Sequence, residues 1–440
     1  MFDRAWAGIW IAMLSLAVAG DAATADLRLV QAARNNDLKA VRSLLEQHVN
    51  VNNAQADGQT ALTWAAYVDD TEMADALLQA GANVNAANDY GETPLTLACA
   101  NANAALVGRL LKAGAQANAA RWNGDTALMI AAGAGSLEAV NLLLQSGADV
   151  NRAESRKKQT ALMWAVAEGH PAVTRVLIEH GAEVNAVSKG DFTPLMFVAE
   201  RGDTESARLL LAAKADVNHA RPDGSTALLV AASWGHDGIG GLLLDQGANP
   251  NVHDKAGHTP LHEAAQNNKL ELAKQLLARG ADPNAPLAQT PQDHGGFEQD
   301  FGEATPLLLA AIEGRAEMVR LLVASGADTK LTTQNGTTVL MGAARSGNLA
   351  TIQAAYELAG NIYARNRHGQ NVVHLAALAP LQSPFEEIFR FLASKGAQLD
   401  VKDDRGRTPM SICTLRTFDN ARELLRKLIA AQKNQQPVNE

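Results

Sequence analysis

Aromatic side chains are scarce in this chain: Phe, Trp and Tyr make up only 4% of its 440 residues. A core of stacked rings is thereby excluded, and the abundance of Ala points to small and aliphatic side chains packed at close range. Cysteine is scarcer still. Cys99 and Cys413 stand alone, too few for a disulfide framework, and both read as small buried hydrophobes. Neither lies near the N-terminus, which excludes a lipid-modified N-terminal cysteine. Positive charge is also in deficit, with a formal net charge of −9 and no basic stripe. The densest basic run, Arg156, Lys157 and Lys158, reads as a solvated turn. This balance argues against nucleic acid and anionic membrane surfaces as main partners. No low-complexity tract occurs.

Long apolar runs are missing as well, with one partial exception. Ala5 to Gly20 carries no charge and reads WAGIWIAMLSLAVAG from Trp6 onward. A membrane span needs about 20 apolar residues, and this run is shorter. Ala23-Thr24-Ala25 follows as an A-x-A cleavage site, so residues 1–25 read as a signal peptide. Asp3 offsets Arg4, which leaves the preceding charged region weak, and Ala17-Val18-Ala19 is a rival cleavage site. Cleavage implies a periplasmic or secreted protein without stable membrane insertion. An uncleaved segment would instead anchor a structural scaffold.

What the sequence has in plenty is repetition. Thr60, Thr93, Thr126, Thr160, Thr193, Thr226 and Thr259 each open a Thr-Ala-Leu or Thr-Pro-Leu, at spacings of 33 or 34 residues. The phase resumes at Thr305, continues through Thr338 and the degenerate Asn371-Val372-Val373, and ends at Thr408. A pair of Ala follows most starts, then a Gly or Asn turn, a Leu pair such as Leu143-Leu144, and a Gly-Ala-Asp/Asn-Val-Asn close. Thr is a good N-cap, and Pro94, Pro194, Pro260, Pro306 and Pro409 fall where a first helical turn needs no N–H. The double Ala allows close helix approach, the Leu pair supplies an apolar face, and Gly permits a left-handed cap. Each unit therefore reads as helix, turn, helix and hairpin connection.

The period and the Thr259-Pro260-Leu261-His262-Glu263-Ala264 stretch resemble the ankyrin repeat. The resemblance spans Asp26 to about Gln432, or about twelve units, with residues 436–440 as a disordered tail. It implies an all-α ankyrin-repeat solenoid with β-hairpin connections over 26–435, elongated and curved, in which each unit touches only its neighbours. Two cysteines so far apart in such a stack cannot pair within one chain. The first unit, Leu27 to Asn52, reads as an N-terminal cap, and Phe418 to Gln432 as the last helix. Departures are visible. The motif His survives at His262 and His374, whereas Thr63, Met129, Met163, Met196 and Met341 replace it elsewhere as packing. Lys214 stands where Gly is usual, which strains that cap. About four residues are added around Pro380 to Pro384, and about thirteen between Asn284 and Thr305.

The resemblance further implies that hairpin tips and first helices line a partner-binding face. Tip positions include Tyr90, Trp122, Phe192 and His258; helix ends add Tyr67 and Trp234. Rings at such places suit interface anchors, whereas Trp64, Trp164 and Phe197, at the motif's Leu/Ile position, read as core. The insertion, residues 285–304, carries Phe297 and Phe301, hydrophobic where a linker would be polar, and these join the candidate contacts. Its acids do not match a calcium-loop spacing. His253, His258 and His262 lie close in sequence, yet Gln266 stands where an H-E-x-x-H motif needs its second His. Gly238, Gly240 and Gly241 lack the context of a phosphate loop. The expectation is a non-enzymatic, monomeric, exported module that binds a protein partner, with no cofactor and no metal. The alternative is a metal-dependent enzyme with the 285–304 loop as its lid.

Overall fold

A computed structural model describes residues 26–289, 302–416 and 419–434. Residues 1–25, read above as a signal peptide, residues 436–440, read as a tail, and Phe297 and Phe301 lie outside the described residues. The chain divides into two compact units, one ending at Gln116 and the other beginning at Ala117.

Among the described residues the first unit holds three helix pairs: α1 (Arg28–Arg34) with α2 (Leu38–Glu46), α3 (Ala61–Tyr67) with α4 (Thr71–Gln79), and α5 (Pro94–Ala100) with α6 (Ala104–Lys112). Among its described residues the second holds nine. These are α7 (Ala127–Gly133) with α8 (Leu137–Gln145), α9 (Ala161–Glu168) with α10 (Pro171–Glu179), and α11 (Pro194–Arg201) with α12 (Thr204–Ala212). Next come α13 (Ala227–Trp234) with α14 (Asp237–Asp245), α15 (Pro260–Gln266) with α16 (Leu270–Ala278), and α17 (Pro306–Ile312) with α18 (Ala316–Ala324). The series closes with α19 (Val339–Ser346) and α20 (Leu349–Ala359), α21 (Val372–Ala377) and α22 (Phe385–Ser394), and α23 (Pro409–Leu415) and α24 (Asp419–Asn434). Within each unit the first helices stack on one another in chain order, and so do the second helices.

Each first helix starts where its cap dictates. Thr60, Thr93, Thr126, Thr160, Thr193, Thr226, Thr259, Thr305, Thr338 and Thr408 are N-caps whose side chains accept from the N–H three residues on, and Asn371 does the same for α21. Such a cap is worth about 1 kcal/mol. Where His stands at the third helical position it adds a tie to the next repeat. His262 Nε2 lies 3.2 Å from Ala304 O, and His374 Nε2 lies 3.1 Å from Arg407 O. The Met residues at this position, Met129, Met163, Met196 and Met341, are fully buried packing.

The second helical residue is a buried Leu from Leu62 to Leu340, and the double Ala behind it is sealed from solvent. In the second helices the first Leu of the pair is fully enclosed at Leu77, Leu143 and Leu276. Its neighbours Leu78, Leu144 and Leu277 are half-buried. Connections between repeats double back as hairpins but form no ladder among the described residues, only single bridges at Ala54–Thr60, Ala120–Thr126 and Ala153–Thr160. Successive tips are tied by one backbone bond each, as from Lys189 N to Lys157 O (2.7 Å) and from Lys255 N to Asp223 O (2.9 Å). The basic tip folds around the buried Glu154 carboxylate, which accepts from the N–H groups of Arg156, Lys157 and Gln159.

The base of the insertion is closed. Leu287 N donates to Ala304 O at 3.0 Å, and Ala288 N donates to Ala256 O at 2.8 Å, with Leu287 and Ala304 both buried. Lys214 takes φ +67°, the left-handed conformation its glycine counterparts adopt without steric penalty. Both cysteines are buried and free. Burial pushes the Cys413 thiol up to about 11.

Candidate protein-binding face

A first helix of seven or eight residues has two apolar faces. Its second, fifth and sixth residues point to the stack, while the fourth and seventh share a separate strip, one turn apart. In the first unit that strip carries Trp64 and Tyr67, ring centroids 5.5 Å apart and edge to face. The Arg34 guanidinium lies 5.3 Å from the Trp64 ring centroid. In the second unit it carries Trp164, Phe197, Val230 and Glu263 in consecutive repeats, all half-buried. The expectation that Trp64, Trp164 and Phe197 are core is therefore corrected. Leu97, Ile130 and Leu309 are buried at the same fourth helical position, whereas these larger rings keep part of their surface in solvent.

The other sequence candidates fall into two classes. Trp122, on the tip before α7, is 69% exposed, and Trp234, the last residue of α13, is 61% exposed. In the first unit Tyr90, on the tip before α5, and Tyr67, the last residue of α3, are 61% and 55% exposed. Phe192 and His258 are instead half-buried against neighbouring groups. The Phe192 ring lies 5.3 Å from Phe197, with the Arg221 guanidinium 4.5 Å from its centroid. Arg221 is fixed in turn by Gly190 O (3.0 Å) and Asp223 (2.9 Å). His258 Nδ1 sits 3.2 Å from Asp254 Oδ2, and its ring meets His262 edge to face at 6.4 Å.

Charge on this face is unevenly spread. Burial raises the Glu263 carboxyl above its ordinary range, partly offset by the charge of His258 and a hydrogen bond from Ser233. Asp223 is lowered, chiefly by the Ser225 N–H it accepts (2.9 Å). Burial, and then the charge of Arg416, pull the Arg345 guanidinium below its usual value. Arg221 and Glu263 are residues that sequence reasoning did not place on this face, and Trp164 and Phe197 are ones it assigned to the core. The signal available was the three-residue step from the fourth to the seventh helical position. Among the described residues no group of three or more His, Cys, Asp or Glu could hold a metal ion, and no helix is long and apolar enough to cross a membrane.

This arrangement matches a known family. The profile described as "Ankyrin repeats (3 copies)" matches residues 29–121, 100–188, 195–286 and 290–366. Among curated proteins, Ankyrin repeat and SAM domain-containing protein 6 of Rattus norvegicus is 36% identical over 107 residues, or 24% of this chain and 12% of the relative. Its Mus musculus counterpart is 37% identical over 105 residues, or 24% of this chain and 11% of the relative. The match thus spans only about an eighth of those proteins. Among solved structures, the human ASB11 ankyrin repeat domain aligns with a TM-score of 0.45 and 29% identity, covering 50% of this chain and 98% of that one. The ankyrin repeat domain of Bcl-3 aligns with a TM-score of 0.44 and 28% identity, covering 50% and 99%.

Proposed function

This chain belongs to the ankyrin-repeat family, whose repeats are protein-interaction modules rather than catalysts, and from that premise we propose that it binds a partner protein through its hairpin tips and first-helix ends after export from the cytosol. The observation that carries the reading is the exposure of Trp122 and Trp234 in a chain with so few aromatic residues. Indole rings are costly to leave in water and are the side chains most enriched at interface anchors. A stacked-repeat scaffold presents them on a rigid support, so little ordering entropy is lost on binding. The absence of charge from Ala5 to Gly20 and the Ala23-Thr24-Ala25 site support export by a cleaved signal peptide.

The test uses the full chain in its native compartment with cross-linking capture. Trp122→Ala combined with Trp234→Ala is expected to lower capture of the dominant partner by roughly tenfold or more while the melting midpoint stays nearly unchanged. Unaltered capture, or a large drop in melting midpoint, refutes the assignment of these rings to an interface. Mass spectrometry of the mature N-terminus tests export, and a chain that keeps residues 1–25 refutes it.

A further inference from the structure

Two successive hairpin tips of the second unit gather positive charge in a chain whose net charge is −9. The tip before α21 carries Arg365, Arg367 and His368, and the tip before α23 carries Lys402, Arg405 and Arg407. Each hairpin is closed on itself, by Asn366 N donating to Gln370 O (2.9 Å) and Asp403 N to Arg407 O (2.9 Å). Further backbone bonds hold the tips side by side. Asp404 N donates to His368 O at 3.0 Å, and Arg367 N donates to Asn335 O of the tip before α19 at 2.8 Å. The side chains of Arg365, Arg367 and Lys402 are thus carried on adjoining, hydrogen-bonded turns, and all three residues are exposed.

The carboxylates of this region are engaged elsewhere. Asp403 is buried and taken by Arg407, whose Nη2 and Nε lie 2.8 and 2.9 Å from Oδ2. Asp400 pairs with Lys433 at 3.5 Å. Asp404 rests over Gly369 of the preceding tip. Among the described residues Arg365, Arg367 and Lys402 form no ion pair and no side-chain hydrogen bond, with Asp404 or with any other group. Packing does not call for cations at these places either. Arg365 and Lys402 stand six residues before a helix cap, where Ala54, Ala87, Ala120 and Ala220 serve in other repeats. Arg367 stands four residues before its cap, the place that the exposed Trp122 takes before α7. Three exposed cations on neighbouring turns, none of them paired within the chain, form a surface for an anion that another molecule supplies.

We propose that Arg365, Arg367 and Lys402 form a docking surface for an acidic segment of the partner protein, an extended run carrying Asp and Glu side chains. Charge complementarity selects the occupant: planar guanidinium groups take carboxylates in paired, charge-assisted bonds, and Lys adds a point charge. The repeat sets the spacing. Stacked helices lie about 8–10 Å apart, and an extended chain advances about 3.3 Å per residue. About three residues therefore pass from one tip to the next, and a segment of about six with carboxylates two or three positions apart reaches both. Nucleic acid or a membrane surface would extend past two tips onto a chain of net negative charge, which repels it. This deepens the binding reading above, on which it rests, by naming the chemistry of one contact.

A random-peptide phage library panned against the full chain tests it, after depletion on a variant that combines Arg365→Ala, Arg367→Ala and Lys402→Ala. Synthetic copies of the selected peptides are then titrated against both proteins. The recovered sequences are expected to be rich in Asp and Glu at intervals of two or three positions. Their binding should be weaker on the triple variant by on the order of tenfold or more, and should fall as salt rises. Peptides without acidic enrichment, bound equally by the triple variant or indifferent to salt, overturn the site. The triple variant is expected to keep its melting midpoint, because Ala already stands at two of these places in other repeats; a marked drop shows structural cations and also overturns it. If no acidic peptide is recovered while partner capture still falls on Trp122→Ala with Trp234→Ala, the broader binding reading stands and only the charged surface falls. Phosphatidylglycerol vesicles or a single-stranded oligonucleotide bound through the same three cations, with no peptide selected, refute the acidic segment.

Discussion

Asn151 holds Gly181 of the following repeat with one arm of its amide and that repeat's next turn with the other. Its Nδ2 donates to Gly181 O at 3.1 Å, while its Oδ1 accepts from Glu183 N at 2.8 Å. The same two-armed contact links Asn218 to Gly247 and Asn249, and Asn251 to Gly280 and Asp282. In the first unit Asn52 makes it to Gly81 and Asn83. The series stops where Lys330 and Tyr363 take the Asn position.

Removing one rung is expected to loosen two repeats rather than the whole stack, because each repeat touches only its neighbours. Asn151→Ala should cost about 1–2 kcal/mol, from two partly solvated hydrogen bonds. Urea unfolding checks the size. Hydrogen exchange checks the location, with faster exchange confined to the repeats around residues 151 and 181.

Lys214 is a built-in weakness. A side chain at φ +67° incurs a penalty of about 1 kcal/mol that glycine avoids. Lys214→Gly should therefore stabilise the chain by roughly 0.5–1 kcal/mol, read as a higher urea midpoint at constant slope.

Helix α14 carries three glycines with different neighbours. A Cβ on Gly240 would stand 2.5 Å from Leu272 Cδ1, inside the stack, whereas one on Gly238 would meet nothing closer than Thr204 Oγ1 at 4.0 Å. Gly238→Ala should raise stability by about 0.5–1 kcal/mol through helix propensity alone. Gly240→Ala should lower it through overpacking, by roughly 1–3 kcal/mol. Paired thermal melts of the two variants distinguish the effects.

His262 makes stability pH-dependent. Its Nδ1 accepts from Thr259 N (3.2 Å) and lies 2.9 Å from the Thr259 hydroxyl, while Nε2 donates to Ala304 O. That pattern requires a neutral ring. Burial lowers its pKa from 6.5 to about 4. With the folded value below the unfolded one, the unfolded chain binds the extra proton between those limits. The contribution is whole above pH about 6.5 and is lost as pH falls toward about 4, on the order of 2–3 kcal/mol. Unfolding at pH 7 and pH 4.5 should show a smaller loss for His262→Asn than for the parent, which also removes the opposing effect of Glu263 from the comparison.

How far the residues announced this arrangement depends on whether one repeat or several decide the outcome. Thr126 and Thr226 could be placed as caps because a cap is a local matter of one hydroxyl and one N–H. The left-handed place of Lys214 was legible for the same reason, since a turn of fixed length demands it. Trp164 and Phe197 were misjudged because the fourth helical position buries the smaller Leu97, Ile130 and Leu309 in other repeats and leaves the larger rings part-exposed.

The neck formed by Leu287 and Ala304 has a practical consequence. It meets the preceding tip through Ala256, and beyond it the amide of Asn284 still grips Gly326 and Asp328 as its counterparts do elsewhere. Register across this junction is thus set by the neck residues, independent of the length of sequence they enclose. An epitope, a fluorescent reporter or a protease site is therefore best spliced inside the span from Ala288 to Gly302 with those two residues kept, because Ala288 N holds Ala256 O and Gly302 O accepts from Gln334 N of the next repeat.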